Sequence, residues 1–194
     1  MTTNKKKLNK PLLVGVEDGS FEAFPRKPGS STVLCCVEMT GDKIQGVRLT
    51  TIEIDGLDAT EKVLKMLEGG SADAILLGGI TFAGFNIIDP NAVHRETGVP
   101  VIIYSSEEPE SGAMLHALKA HFEDWRTRWS IIEGLGNVYK TVTRPGEPPV
   151  YFEAVGGSPS WAEEVLKSSA VVCRIPEPVR VAGLIARGIS RSSC

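Results

Sequence analysis

The chain has 194 residues, 42% of them hydrophobic, with a formal net charge of −3, enough for one sizeable globular domain and short for two. No apolar run approaches the roughly 20 residues that a helix needs to span a bilayer, so no membrane partner is expected. The body turns more acidic once the four lysines of "MTTNKKKLNK" are set aside, which argues against a broad basic surface that clamps duplex DNA by charge alone.

That opening stretch lacks an apolar h-region, so it reads as a disordered basic tail over residues 1–10 and not as a secretory signal. Residues 11–194 are expected to form a single domain. "PLLVGV" is a buried strand running straight into Glu17 and Asp18. "STVLCCVEMTGDKIQGVRLTTIEID" predicts a long hairpin turning at Thr40-Gly41-Asp42. "LDATEKVLKMLEGG" has a helical pattern, with Val63, Leu64 and Leu67 on one face and Gly69-Gly70 as the stop. "ADAILLGGI" and "VPVIIYSS" are continuous apolar strands joined by a helical "NAVHRETG", a crossover that implies a parallel pair. Then come a helix from about Ala113 to Phe122 and strand segments within "VYKTVTRPGEPPVYFEAVG". A helix "SWAEEVLKSS", a strand "AVVCRIP" and a helix from about Pro178 to Arg187 complete the series. This order predicts an α/β, ribonuclease H-like fold: an antiparallel three-strand meander plus parallel strands in one mixed sheet, with helices on both faces.

Several chemistries find no support. Cys35 and Cys36 are adjacent in a strand and so point to opposite faces. With Cys173 and Cys194 they make no CxxC pair and no zinc spacing, and they read as structural thiols in a reducing cytoplasm. His94, His116 and His121 have no metal-binding spacing. No Walker loop, nucleophile elbow or GxGxxG is present.

Carboxylates are the remaining candidates. Consecutive strand residues face opposite sides, so Glu17 and Asp18 cannot both be ligands while the strand stays regular. Asp18 is favoured because Gly19 permits a bend at the strand end, against the plain reading of an Asp-Gly turn. Asp55 follows the third strand. Asp58 and Glu61 open the next helix, either as a capping box or as further ligands. In "LLGGITFAGFNIIDP", Gly78 and Gly79 allow close backbone approach by a ligand or by a neighbouring segment. Phe82 and Phe85 stack on a base or fill the core, and Asn86 lies between them and Asp89. Asp89-Pro90 has the pattern of a helix start.

"GVEDGSF", "IDGLDAT", "LLGGITFAGFN", "TGVPVI" and "IPEPVRVA" together resemble the prokaryotic endonuclease dU family, related to endonuclease V, from about Leu12 to Arg187. The resemblance implies a ribonuclease H-like fold and a magnesium- or manganese-dependent cut in nucleic acid bearing deaminated or uracil bases, DNA before RNA. Carried onto this chain, it assigns catalysis to Asp18, Asp58 and Glu17 and metal binding to Asp18, Asp55, Asp58 and Glu61. Substrate binding falls to Gly78, Gly79, Phe82, Phe85, Asn86 and Asp89, with phosphate contacts from Arg126, Arg128 and Lys140. Self-association is left open. Two positions depart from endonuclease V: its strand-four aspartate falls on Gly78, and its late histidine falls on Gly157. These departures support an alternative, a binding or interaction protein on the same fold without catalysis.

Overall fold

The computed structural model describes residues 10–22 and 29–191; of the expected basic tail, all but Lys10 lies outside them. Apolar residues in unbroken or alternating runs form the first strands, β1 (Leu12–Asp18), β2 (Ser31–Thr40) and β3 (Lys43–Glu53). α1 (Ala59–Leu67) turns Ala59, Val63 and Met66 inward, and β4 (Ala74–Leu77) is buried throughout. A two-stranded hairpin follows, β5 (Thr81–Phe82) with β6 (Asn86–Ile87). α2 (Pro90–Thr97) leads to β7 (Val101–Ser105), and α3 (Ser111–His121) and α4 (Trp125–Glu133) form a helical corner. β8 (Tyr139–Thr141), β9 (Val150–Val155), α5 (Pro159–Ser169) and α6 (Glu177–Arg191) complete the described residues.

Seven strands form one sheet in the order β3-β2-β1-β4-β7-β9-β8. The first three pair antiparallel as a meander, β1, β4 and β7 run parallel, and β9 returns antiparallel to β7. Period-two alternation sorts β1 between two cores. Val14 and Val16 face α1 and α2, packing with Val63, Ile75, Leu77 and Val93. Leu13 faces the opposite way, toward Leu76, Tyr104, Leu166 and Val179 beneath α5 and α6. Helices therefore cover both faces, as the element order predicts. No helix of the described residues is long and apolar enough to cross a membrane.

α6 lies almost on the backbone of β1. A Cβ at Gly15 would overlap the backbone of Pro178 and Val179, so only glycine admits this contact. Gly15→Ala is expected to destabilise the fold by about 1–3 kcal/mol through overpacking, read as a lower midpoint in a urea melt.

Two sequence expectations are corrected. "AVVCRIP" is no strand: Thr143 and Arg144 donate to the carbonyls of Arg174 and Val171, and Glu147 accepts from the Arg174 amide at 2.7 Å. With its backbone groups taken by side chains of the 143–147 loop, the segment has no ladder to join, and Val171 and Val172 stay exposed. The second correction is α4, which was not expected, since "WRTRWSIIE" lacks the apolar period that marks a helix.

Candidate active site

The acid pair at the end of β1 sits where β4 runs out. The β1–β4 ladder ends at the Val16–Leu77 pair, and the Gly78 amide donates to the Val16 carbonyl at 3.0 Å. One residue further, Glu17 falls on the α6 face and Asp18 on the α1 face. Glu17 lies over Gly78, where an added Cβ would stand 2.6 Å from its carboxyl carbon. Any side chain at 78 would evict that carboxylate. Glu17 also curls back, accepting the Asp18 amide at 3.3 Å.

Burial pushes the Glu17 carboxyl from 4.5 up to about 8, and the negative charge of Asp18 adds to the rise. Asp18 is raised too, again through burial first, while the hydrogen bond from the Ala83 amide opposes the shift. Arg187 pulls both values down. It projects from α6, and its guanidinium lies where a Cβ on Gly183 would stand, 2.6 Å from Nη2. Two neighbouring carboxyls with disfavoured charge, facing one arginine, are the kind of arrangement found at functional sites more often than elsewhere.

These shifts set a sign for stability against pH. Below pH 4.5 Glu17 is protonated folded and unfolded alike; between 4.5 and about 8 the folded state holds the extra proton. Stability therefore falls as pH rises through that window. Glu153, buried on β9 and pushed up to about 7, acts in the same direction. Calorimetry is expected to show a Tm declining from pH 5 to pH 8.5, with a shallower decline in Glu17→Gln. An unchanged slope in that variant would place Glu17 in water.

Asp18 is held by a strained turn. Ala83 (φ 44°) and Asp55 (φ 60°) both occupy the left-handed region without being glycine, at about 1–3 kcal/mol each. Their bonds interlock: the Ala83 amide donates to Asp18, and the Asp55 amide donates to the Ala83 carbonyl at 2.8 Å. The Asp55 carboxylate in turn accepts the Phe85 amide at 2.9 Å. Arg128, 4% exposed, clamps the same loops from α4. It donates to the carbonyls of Gly56 (3.0 Å), Phe85 (2.6 Å) and Asp55 (3.0 Å) and to the carboxylate of Asp124 (2.9 Å).

The structure thus brings Glu17, Asp18 and Gly78 together, and ties Asp55 to them through Ala83. It uses the other acids differently. Asp58 makes no side-chain cap bond; it accepts from Asn86 Nδ2 at 2.7 Å and the Glu53 amide at 3.2 Å. Asn86 Oδ1 takes the Ala59 amide instead, at 3.1 Å, so the capping-box reading of Asp58 and Glu61 is corrected. Glu61 is exposed on α1. Asp89 caps α2, accepting from the amides of Asn91 and Ala92. Phe82 is 1% exposed in the core, and Asn86 is fully buried, bonded to the Glu53 carbonyl, Asp58 and the Ala59 amide. Phe85 is half-buried, edge-to-face with Phe122 at 5.3 Å between ring centroids. Arg128 is buried against its carbonyls, whereas Arg126 is exposed over the Trp125 ring and Lys140 is exposed on β8. Gly79 continues the loop at φ 151°, and Gly157 abuts the Trp161 ring.

Sequence reasoning missed Ala83 and Arg187, and named Arg128 for phosphate contact where the structure makes it a clamp on backbone carbonyls. Only Arg187 left a trace, a glycine four residues earlier on one helix face. Among the described residues no three His, Cys, Asp or Glu side chains form a group that could hold a metal ion. The expected four-acid set is therefore not assembled. Magnesium, however, keeps several waters and is often held by one or two carboxylates plus substrate phosphates. β1 stays paired through Asp18 and parity sets the two side chains on opposite faces, but Glu17 bends back over Gly78 to the Asp18 amide. With the carboxyls brought together in this way, the hard-oxygen pair fits that kind of binding and not a closed protein cage.

Residues 12–190 match the family model described as endonuclease dU. A UPF0215 protein of Methanothermobacter thermautotrophicus is 34% identical over 182 residues, covering 92% of this chain and 87% of that protein. A solved Archaeoglobus fulgidus protein of unknown function superposes with a TM-score of 0.79 at 31% identity, over 92% of this chain and 97% of that one. Endonuclease V of Ciona intestinalis was solved with a 23mer DNA containing an inosine followed by a ribo-adenosine. It is similar in fold, with a TM-score of 0.62 at 17% identity, over 96% of this chain and 88% of that one.

Proposed function

This chain belongs to the endonuclease dU family, and from that premise we propose that it is a divalent-metal-dependent endonuclease. Its substrate is nucleic acid carrying deaminated or uracil bases, DNA before RNA, and the reaction is hydrolysis of a phosphodiester bond. The observation that carries this reading is the acid pair: two adjacent carboxyls, both raised by burial, at the open end of β1 against Gly78. Glu17 and Asp18 would hold the magnesium or manganese, which when bound supplies positive charge for phosphate oxygens and a water of lowered pKa.

The chain's own residues do the rest. The Ala83 amide fixes the direction of the Asp18 carboxylate. Glu17, with its proton held up to about pH 8, releases it when positive charge arrives. Gly78 leaves the space that its carboxyl occupies, and Arg187 stands opposite as a counter-charge.

The test is a labelled duplex with a single uracil or hypoxanthine, incubated with protein and magnesium, manganese or chelator. Nicking in the metal lanes alone supports the proposal; intact strands with every divalent ion would end it. Because Glu17 must lose its proton, calorimetric metal affinity is expected to rise from pH 6 to pH 8.5 with proton release on binding.

A second reading, nucleic-acid binding without catalysis, is favoured by Gly78 and Gly157 at the two departing positions. It predicts oligonucleotide binding indifferent to chelator and no heat on metal titration.

A further inference from the structure

The turn between α3 and α4 gathers cations around one indole. Lys119, in the last turn of α3, and Arg126, in the first turn of α4, both lie against Trp125. The lysine Nζ is 4.9 Å and the guanidinium carbon 4.5 Å from the ring centroid. Both side chains are exposed, and among the described residues neither is in an ion pair with a carboxylate. An aromatic face attracts a cation without neutralising it, so both charges stay available to an outside anion. Exposed His121 stands with Lys119 and Trp125 around an open hollow of about 370 Å³. Of the two acids at the turn, Asp124 is taken by Arg128 at 2.9 Å, which leaves Glu123 to oppose the cations.

The corner is tied to the candidate site at two points. Arg128, further along α4, bonds the carbonyls of Asp55, Gly56 and Phe85, and Phe122 packs edge-to-face on Phe85. Asp55 is bonded in turn to Ala83, whose amide holds Asp18. The cations therefore stand on a bracket fixed to the same loops that hold the acid. We propose that this corner is a phosphate rest for the substrate strand. Lys119 and Arg126 bind backbone phosphates of nucleic acid beyond the one cut, and His121 donates a hydrogen bond beside them. The proposal rests on the reading of the acid pair as the place of cutting, and adds where the strand runs from there. Because the chain as a whole is acidic and exposed charges are screened beyond about 10 Å, the attraction is local to this corner. Loss of either cation is then expected to show.

The test is fluorescence anisotropy with a labelled single strand bearing one uracil, in chelator so that no cut occurs, across a series of salt concentrations. Lys119→Ala and Arg126→Ala are each expected to weaken binding and to make the slope of log K against log salt shallower by about 0.7. The loss is expected to be equal on a strand without uracil, because phosphate contacts carry no base preference. Glu123→Gln is expected to tighten binding. Lys65→Ala, at an exposed cation in the last turn of α1, is the control for net charge and is expected to leave binding unchanged. Thermal melts of all four are expected to stay close to the parent, since each site is exposed. In cleavage with magnesium, the two corner variants are expected to raise KM and keep kcat. Wild-type protein that shows the salt slope, and loses it in the variants, but never cuts would end the nuclease reading and leave the corner standing. Variants that match the parent in slope, or a control that loses as much as they do, overturn the corner. So does a parent that binds neither strand.

Discussion

Asp18→Asn is expected to lower metal-dependent cleavage of a uracil-bearing strand by about 10²–10³-fold, the size of effect seen when a main electrostatic group is removed from a catalytic site. The substitution separates charge from architecture. Asparagine keeps an oxygen acceptor for the Ala83 amide, which bonds Asp18 in the native turn, and it removes a carboxylate whose charged form burial already disfavours. The fold is therefore expected to be unharmed or slightly steadier. Single-turnover rates beside a thermal melt give both readings. A variant that cuts as fast as the parent would remove Asp18 from the chemistry; one that unfolds would show that the turn needs the charge.

Arg128→Ala carries the largest expected loss of stability, about 3–5 kcal/mol, the range for breaking a buried charged network by removing one partner. The arginine is 4% exposed and bonds three backbone carbonyls and one carboxylate drawn from separate stretches of chain. Its ring contact with Phe122, at 4.3 Å, would go as well. Alanine would leave those carbonyls buried without a donor. Lysine at 128 offers one ammonium where a planar fork spans several acceptors, so it is expected to recover only part of the loss. Arg126→Ala on the exposed surface is the control, expected within about 0.5 kcal/mol. Denaturant midpoints measure all three.

Much of the fold was legible because it rests on short-range pattern. The apolar run of β1, the alternation of β2 and β3 and the crossover through α2 each carry their own period. Asp89-Pro90 foretold its cap from two residues. The misses occur where distant segments decide. "AVVCRIP" has the composition of a strand but finds side chains, not a strand edge, beside it. The Asp58 cap failed because Asn86, far along the chain, takes the helix amide.

The site was legible by half. Glycine after an acid drew attention to the end of β1, and the resemblance placed Gly78 beside it. Yet strand parity allowed only one of the two acids, and Gly19 favoured Asp18 over Glu17. Parity places the two side chains on opposite faces; it does not show that a missing side chain on β4 lets Glu17 lie across the strand end. Ala83 left no signal, since an alanine at positive φ is made by its surroundings and not by its own preference.

The close seat of residues 177–191 on residues 12–18 bears on how the protein is made. During synthesis the strand leaves the ribosome long before the helix that covers it, and contacts so far apart in sequence close late. Until then Cys35, Val37 and Met39 lack the cover that Ala182 and Ala186 give them, and the acid pair lacks its arginine. The surroundings of the acid pair are thus completed only once residues 177–191 have been made and have docked.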